Sequence, residues 1–191
     1  MKQFLKEKIL PLSLTAFIIL ADQITKAIIV IKWPLEPGTH YRFITQVFGS
    51  DFMQIIHVRN PAIAFSLGKN LPAQIQPVVF IVIPILVLGF LLWYYLRSNE
   101  FTAIQRWAAA GIIGGGLGNI IDRIFRSGSG GVVDFLDVAF FKFVFESGRW
   151  PTFNIADATV VVCCFLLFIT MFISPKKNKM EQVQVKEQID E

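Results

Sequence analysis

Four long apolar runs constrain this chain more than any other feature. They cover residues 11–33, 77–96, 107–125 and 154–173. A helix of about 20 apolar residues, rising 1.5 Å per residue, spans the roughly 30 Å hydrocarbon core of a bilayer. Composition agrees, because 54% of the 191 residues are hydrophobic, 17% are charged and the mean hydropathy is +0.57. The sequence therefore predicts an integral membrane protein with four transmembrane helices.

Basic residues at the ends of the runs indicate the orientation of the helices. Three lysines precede the first run, Arg97 and Arg106 flank the short link between the second and third runs, and three lysines follow the fourth. Cytoplasmic segments are enriched in Lys and Arg. We therefore expect both termini in the cytoplasm and the longer loops, 34–76 and 126–153, on the extracytoplasmic side.

The loops and the tail complete the predicted organisation. Residues 1–175 are expected to form one membrane domain, followed by a charged, disordered cytoplasmic tail at 176–191. In the first outer loop, residues 41–47 and 52–58 have strand-forming composition on either side of a turn at 49–51. The predicted fold class is all-α in the membrane, with four helices and a small extracytoplasmic region that contains β-structure.

Two stretches have more than one interpretation. The lysine-rich start followed by an apolar run could be a cleaved signal peptide, but the run continues past Asp22 and Lys26 without a convincing cleavage site. The third run contains overlapping small-xxx-small patterns, one of them Gly111 with Gly115, which allow membrane helices to approach closely. A nucleotide-binding glycine loop would need a preceding strand, and the sequence offers none.

Composition argues against several kinds of site. Cys163 and Cys164 are neighbours in an apolar run, so their side chains point in different directions and do not favour a disulfide. No Cys and His spacing resembles a zinc site, and we expect neither a metal nor a cofactor. The net charge of +4 is scattered rather than gathered on one face, which argues against a nucleic-acid partner.

Acidic residues stand at the boundaries of the last two predicted helices. Asp122 ends the third run, Asp157 begins the fourth, and Asp134 lies in the loop between them. Because a bundle brings neighbouring helix ends together, two or three of these carboxylates can converge at the outer interface. Two carboxylates a few Å apart share one proton and can act as acid and base in peptide hydrolysis. Spacing alone does not choose among the three acids.

Structural roles for these acids are alternatives. Asn154 and Asp157 have the spacing of a capping box at a helix start. Asp122 could form an ion pair with the adjacent Arg123, and Asp137 could be a surface acid without a role in the site. Each of these alternatives leaves the acid with a purely structural function.

Asp22 and Lys26 lie one turn apart inside the first run, as a buried ion pair or as part of a site. A small transporter or channel subunit would use them as a relay, but four runs without an inverted repeat support it weakly. A lipid-modifying transferase would need a His or Cys nucleophile or base in the acidic cluster, where the sequence has none.

Five motifs, in order, are similar to those of lipoprotein signal peptidases, the bacterial type II signal peptidases. They are Ala-Asp-Gln-Ile-Thr-Lys at 21–26, Arg-Asn-Pro-Ala-Ile-Ala-Phe at 59–65, Gly-Asn-Ile-Ile-Asp-Arg at 118–123, Val-Val-Asp-Phe at 132–135 and Phe-Asn-Ile-Ala-Asp at 153–157. The resemblance covers nearly the whole chain. It implies an inner-membrane aspartyl endopeptidase that cuts a prolipoprotein before its diacylglyceryl-modified cysteine.

The resemblance also implies roles for individual residues. Asp134 and Asp157 fall on the positions of the catalytic pair. Eight more residues fall on motif positions that support or line the site: Asp22, Lys26, Asn60, Asn119, Asp122, Arg123, Asn154 and Ala156. The implied partners are the prolipoprotein, membrane lipid and the inhibitor globomycin, and a monomer is expected. The segment at 60–65 departs from the family's usual Asn-x-Gly-Ala-Ala-Phe, because it lacks the glycine.

Overall fold

A computed structural model describes residues 4–49, 51–61, 71–126, 131–139 and 148–173. Four helices and three strands lie in these ranges: α1 (Leu5–Lys32), α2 (Val78–Arg97), α3 (Ala103–Phe125), α4 (Ile155–Ile173), β1 (Tyr41–Val47), β2 (Met53–Asn60) and β3 (Val132–Val138). By length and composition, α1, α2 and α4 are able to cross a membrane. The predicted tail at 176–191 and most of the motif at 59–65 lie outside the described residues.

Two helices begin with a wider turn that ends just before a proline. Residues Leu5–Ile9 of α1 form a π-helical turn ahead of Pro11, and residues Val78–Val82 of α2 form another ahead of Pro84. A proline ring clashes with the carbonyl four residues earlier in a regular α-helix. A π turn changes the register at that point and so accommodates the ring without ending the helix. Helix α1 consequently starts before residue 11, where the apolar pattern placed it.

Helix α3 is the centre of the bundle and packs against α1, α2 and α4. Its start at Ala103, earlier than the predicted residue 107, is fixed by a capping box between Thr102 and Gln105. A Cβ atom at Gly115 would lie 2.5 Å from the carbonyl oxygen of Ala156 and 2.7 Å from Val160 Cγ2. Only glycine permits this approach, which confirms the predicted close packing of helices through small residues. A helix shielded by three others can carry many glycines and polar residues.

The three strands form one antiparallel sheet in the order β1-β2-β3. The predicted hairpin of β1 and β2 is confirmed, but β3 was not predicted, because residues 126–153 were assigned to a loop. In the register, Val58 of β2 pairs with Asp134 of β3, next to a β-bulge in β2. Leu136 of β3 also exchanges backbone hydrogen bonds of 2.8 and 3.0 Å with Phe153. The sheet therefore leads directly into the start of α4.

A small apolar core fixes the sheet to the helices. Ile29 of α1 packs with Val133 and Phe135 of β3, and Trp33 and Ile155 lie against this group. The imidazole Nδ1 of the buried His57 is also 2.8 Å from the carbonyl oxygen of Trp33. The sheet is thereby held at the end of α1 and beside the beginning of α4.

The opposite end of the bundle is tied together by polar contacts between three helices. Lys8 Nζ donates to the carbonyl oxygen of Leu96 at 2.7 Å, and the hydroxyl of the fully buried Tyr95 donates to the carbonyl oxygen of Lys8 at 2.7 Å. The guanidinium of Arg106 lies 5.7 Å from the centre of the Tyr95 ring. The start of α1 is thus joined to α2 and α3.

Candidate active site

Asp134 lies on strand β3 with only 2% of its surface exposed. Asp134 lies between α3 and α4, as predicted, but on a strand rather than in an irregular loop, because β2 pairs with β3 along its length and Phe153, just before α4, hydrogen-bonds to Leu136. Its two carboxylate oxygens accept hydrogen bonds from Asn154 Nδ2 at 2.7 Å and from Asn60 Nδ2 at 2.9 Å. Burial and the nearby charge of Asp157 raise the pKa of Asp134 to about 7.

Asp157 lies in the first turn of α4 and is partly exposed. It forms the predicted capping box with Asn154: the Asp157 N–H donates to Asn154 Oδ1 at 2.9 Å, and the Asn154 N–H donates to Asp157 Oδ2 at 3.1 Å. The other carboxylate oxygen accepts from Asn119 Nδ2 at 2.8 Å. Asn154 therefore contacts Asp157 through its backbone and Asp134 through its side chain, so that one residue joins the two carboxylates.

A buried ion cluster lies behind these two aspartates. The Nζ atom of Lys26 is 2.8 Å from Asp22 and 3.2 Å from Asp122, and none of the three side chains is exposed. The predicted ion pair of Asp22 and Lys26 is confirmed, and it includes a second carboxylate. Lys26 Nζ also donates to Asn119 Oδ1 at 3.0 Å, so the cluster connects to the amide that binds Asp157.

Backbone N–H groups connect the same cluster to the strand and to the last helix. The N–H of Ala156 donates to Asp22 Oδ1 at 3.1 Å, and the N–H of Val133 donates to Asp122 Oδ2 at 3.0 Å. Ala156 therefore takes part in the network through its backbone N–H. The Ala156 side chain is fully buried.

Of two further charged residues, Arg123 lies near the aspartate pair, and Asp137 differs from its prediction. The guanidinium of Arg123 lies 5.2 Å from the centre of the Phe80 ring and within electrostatic reach of Asp134. Asp137 is not a surface acid, because it is 7% exposed and binds Arg149, with a nitrogen–oxygen distance of 2.9 Å. The β3 register explains the burial of Asp137, since that residue pairs with Gln54 inside the sheet.

Two members of the network were not predicted. Gln23 Nε2 donates at 3.1 Å to both Asp22 and Asp122, and its Oε1 accepts from Arg126 at 2.8 Å. Arg126 also forms an ion pair with Asp122. The Arg126 pair has a signal in the sequence, because residues four apart share a helix face. Gln23 lies within the motif at 21–26, but its contacts depend on the rotation of α1 against α3 and could not be read from spacing.

The arrangement offers carboxylates, amide donors and one ammonium group. Among the described residues, no group of three His, Cys, Asp or Glu side chains is placed to hold a metal ion. Two neighbouring carboxylates, one of them buried with a raised pKa, are suited to proton transfer near neutral pH. The fold and the site therefore define a class of helical membrane enzymes whose candidate site lies beneath a small sheet.

Comparison with known proteins narrows this class. A family model described as signal peptidase (SPase) II matches residues 14–173. The lipoprotein signal peptidase of Treponema pallidum is 39% identical over 177 residues, 93% of this chain and 90% of that protein. That of Borrelia hermsii is 44% identical over 161 residues, 84% of this chain and 88% of that protein. A bacterial membrane enzyme solved by the in meso method at 2.3 Å shares 27% identity with a TM-score of 0.67, over 88% of this chain and 92% of that one.

The chain belongs to the signal peptidase II family, and it is a membrane protease. The family match covers all four helices from residue 14 onward. The resemblance drawn from the five motifs is confirmed. The comparisons favour the peptidase over the transporter or channel subunit considered as the alternative.

Proposed function

We propose that this protein is an aspartic endopeptidase that removes the signal peptide from diacylglyceryl-modified prolipoproteins, cutting before the lipidated cysteine. Asp134 and Asp157 form the catalytic pair. The lipoprotein signal peptidases that share 39–44% of its residues support the substrate class. The five motifs in this sequence support the choice of residues.

One observation carries the choice of this pair among the acids of the site. Asn154 donates a hydrogen bond to each carboxylate: its side-chain Nδ2 to Asp134 at 2.7 Å, and its backbone N–H to Asp157 at 3.1 Å. One residue therefore holds the two carboxylates close together. Their hydrogen-bond donors are amides and a backbone N–H, which leave a proton free to move. The other buried aspartates of the described residues are instead bound to lysine or arginine in ion pairs.

The geometry supports a division of roles between the two aspartates. Asp134, with a pKa raised to about 7, holds the shared proton and donates it to the carbonyl oxygen of the scissile peptide. Asp157 is the more exposed of the two and takes a proton from the attacking water. The water oxygen then bonds to the carbonyl carbon. The tetrahedral intermediate breaks at its C–N bond as Asp157 passes the proton taken from water to the leaving amine, and a hydroxyl of the intermediate returns a proton to Asp134. Asn60 and Asn119 hold the carboxylates in place.

The same proposal includes a topology in the membrane. Helix α3 is the fourth span beside α1, α2 and α4, both termini are cytoplasmic, and the site faces the extracytoplasmic side of the bacterial inner membrane. The support is the charge at the two ends of the bundle, because Lys8 and Arg106 lie at the end opposite the aspartate pair. Four spans bring the two termini to one side.

The family resemblance adds two expectations about partners. Globomycin should inhibit the enzyme at the aspartate pair, and the enzyme should act as a monomer whose substrate keeps its lipid chains in the bilayer. Both are open to direct measurement, by inhibition of cleavage and by the mass of the purified protein–detergent particle.

The test is a gel-shift cleavage assay on a purified diacylglyceryl prolipoprotein. We expect the wild type to cut, and Asp134→Asn and Asp157→Asn to lose at least about 1,000-fold in kcat, because each removes one partner of the proton transfer. Asp137→Asn is the matched control, since it changes an acid on the same strand that binds Arg149 instead.

Substantial turnover by either aspartate variant would reject the catalytic pair. Loss of activity in Asp157→Asn with full activity in Asp134→Asn would point to Asp122 as the partner of Asp157. All variants are compared only after thermal unfolding in detergent shows that they are folded.

A further inference from the structure

The buried ion cluster of Asp22, Lys26 and Asp122 has no part in the proton transfer proposed above. Its three side chains are fully buried, and Lys26 Nζ lies 2.8 Å from one carboxylate and 3.2 Å from the other. Removing charges from water is costly, and a buried ion cluster often stabilises a fold no better than apolar residues of similar size. The contacts of the cluster with the backbone beside the aspartate pair point to a second role.

Each carboxylate of the cluster binds the peptide N–H that immediately precedes one proposed catalytic aspartate. Asp22 Oδ1 accepts from Ala156 N at 3.1 Å, one residue before Asp157. Asp122 Oδ2 accepts from Val133 N at 3.0 Å, one residue before Asp134. The cluster therefore connects the backbone on one side of the pair to the backbone on the other side.

Lys26 also fixes the orientation of Asn119. Its Nζ donates to Asn119 Oδ1 at 3.0 Å, while Asn119 Nδ2 donates to Asp157 Oδ1 at 2.8 Å. An ammonium group has only donors. A flipped amide would therefore set a donor against Lys26 and an acceptor against the carboxylate. Asn154 Nδ2 donates to the same Asn119 oxygen at 3.1 Å, so Lys26 and Asn154 together ensure that a donor faces Asp157.

We propose that Asp22, Lys26 and Asp122 are positioning residues that set the separation and orientation of Asp134 and Asp157. The ammonium group holds two carboxylates apart at fixed distances, and each carboxylate holds the backbone beside one catalytic residue. This inference rests on the proposed function, because it concerns the same pair. A misplacement of about 1 Å at a reacting group costs on the order of 100-fold in rate.

The variants Asp22→Asn and Asp122→Asn test this role. Both oxygens of each carboxylate accept hydrogen bonds from donors in the network. An amide supplies one acceptor and one donor, so either variant must break at least one of these contacts. Lys26 keeps its other carboxylate in each case, and so the charge of the cluster stays compensated and we expect both variants to fold.

The measurement is kcat and KM of the full-length chain in lipid nanodiscs, with a diacylglyceryl prolipoprotein as substrate. We expect kcat to fall about 100-fold in both variants while KM changes less than about threefold. Asp137→Asn again serves as the control. It breaks a buried ion pair of 2.9 Å on the same strand without touching the cluster, and it should keep the wild-type kcat.

A triple variant separates positioning from folding. Asp22→Asn, Lys26→Met and Asp122→Asn together remove the charges of all three residues, so that none of the three keeps a buried charge without its partner. Arg126 loses its ion pair with Asp122, but its side chain is 23% exposed. If the cluster serves only the fold, a folded triple variant should turn over as fast as the wild type. If it positions the aspartates, the folded triple variant should remain about 100-fold slower.

Each outcome decides for or against the proposal. Wild-type kcat in the folded triple variant, or in both folded single variants, would overturn it. An equal loss in Asp137→Asn would also overturn it, because the effect would not be specific to the cluster. Turnover by Asp134→Asn or Asp157→Asn would instead reject the proposed function. Inactive aspartate variants beside fully active cluster variants would reject this inference alone.

Discussion

Asp134 shows how one residue acquires its chemistry from its surroundings. An aspartate in water has a pKa near 3.8, and burial together with the charge of Asp157 raises it to about 7 here. The amide donors from Asn60 and Asn154, and the charge of Lys26, act in the opposite direction and do not cancel the shift. The strand that carries Asp134 is thus part of the chemistry, because it buries the carboxyl group.

The raised pKa predicts the pH dependence of the reaction. The protonated form of Asp134 persists up to about pH 7, so kcat should fall as the pH rises through that value. The folded state also binds this proton more tightly than the unfolded chain. The stability it contributes is therefore present below about pH 3.8 and lost as the pH rises through about 7.

A profile of kcat against pH from about 5 to about 9 checks the alkaline limb. Asp137→Asn should keep the same limb, since its carboxyl group is bound to Arg149. A wild-type kcat that stays constant across this range would contradict the role assigned to Asp134.

At the scale of the elements, the contact between α3 and α4 controls the site. Gly115→Ala would place a Cβ atom 2.5 Å from the carbonyl oxygen of Ala156. We expect a loss of about 1–3 kcal/mol in the free energy of unfolding and a lower kcat, because Ala156 precedes Asp157. Gly89→Ala on α2 is the matched control, since its Cβ atom would meet nothing within 4 Å. Thermal unfolding in detergent compares the two, and equal midpoints would contradict this packing.

Local composition predicted the helices and two of the three strands. Apolar runs predicted all four helices, α3 among them at 107–125, because helices in a membrane are largely apolar. Strand-forming composition on either side of a turn predicted the β1–β2 hairpin. Local composition missed β3, whose first four residues, Val132 to Phe135, are all buried. A strand buried on both faces has no alternation of polar and apolar residues to read.

The contacts of the site that lie close together in the sequence were also predictable. The spacing of Asn154 and Asp157 gave the capping box, and that of Asp22 and Lys26 gave the ion pair, because both lie within one helix. The contact of Lys26 with Asp122 depends on how α1 rotates against α3, and local spacing does not contain that information. The motifs of the family proposed the site residues, while the contacts that connect them required the structure.

At the scale of the whole molecule, polar contacts at the two ends of the bundle are separate. Tyr95 donates to the carbonyl oxygen of Lys8 at the end opposite the aspartates. Tyr95→Phe should lower the stability by about 1 kcal/mol, through the lost buried hydrogen bond, and leave kcat and KM unchanged. Tyr94→Phe is the control, because that ring is 40% exposed and its hydroxyl lies 3.4 Å from Glu100. A drop in kcat in Tyr95→Phe alone would show that the two ends are coupled.

The position of Asp157 at the start of the last helix has a consequence for biosynthesis. The chain is made from its amino terminus, so Asp134 is synthesised before Asp157, the residue proposed to share its proton. Asn154, Ala156 and Asp157 all follow the β3 strand, and the contacts to Asp22 and Asn119 wait for them. A nascent chain that stops before α4 is therefore a membrane protein with half of its proposed catalytic pair. The protease becomes complete only when its final helix joins the bundle.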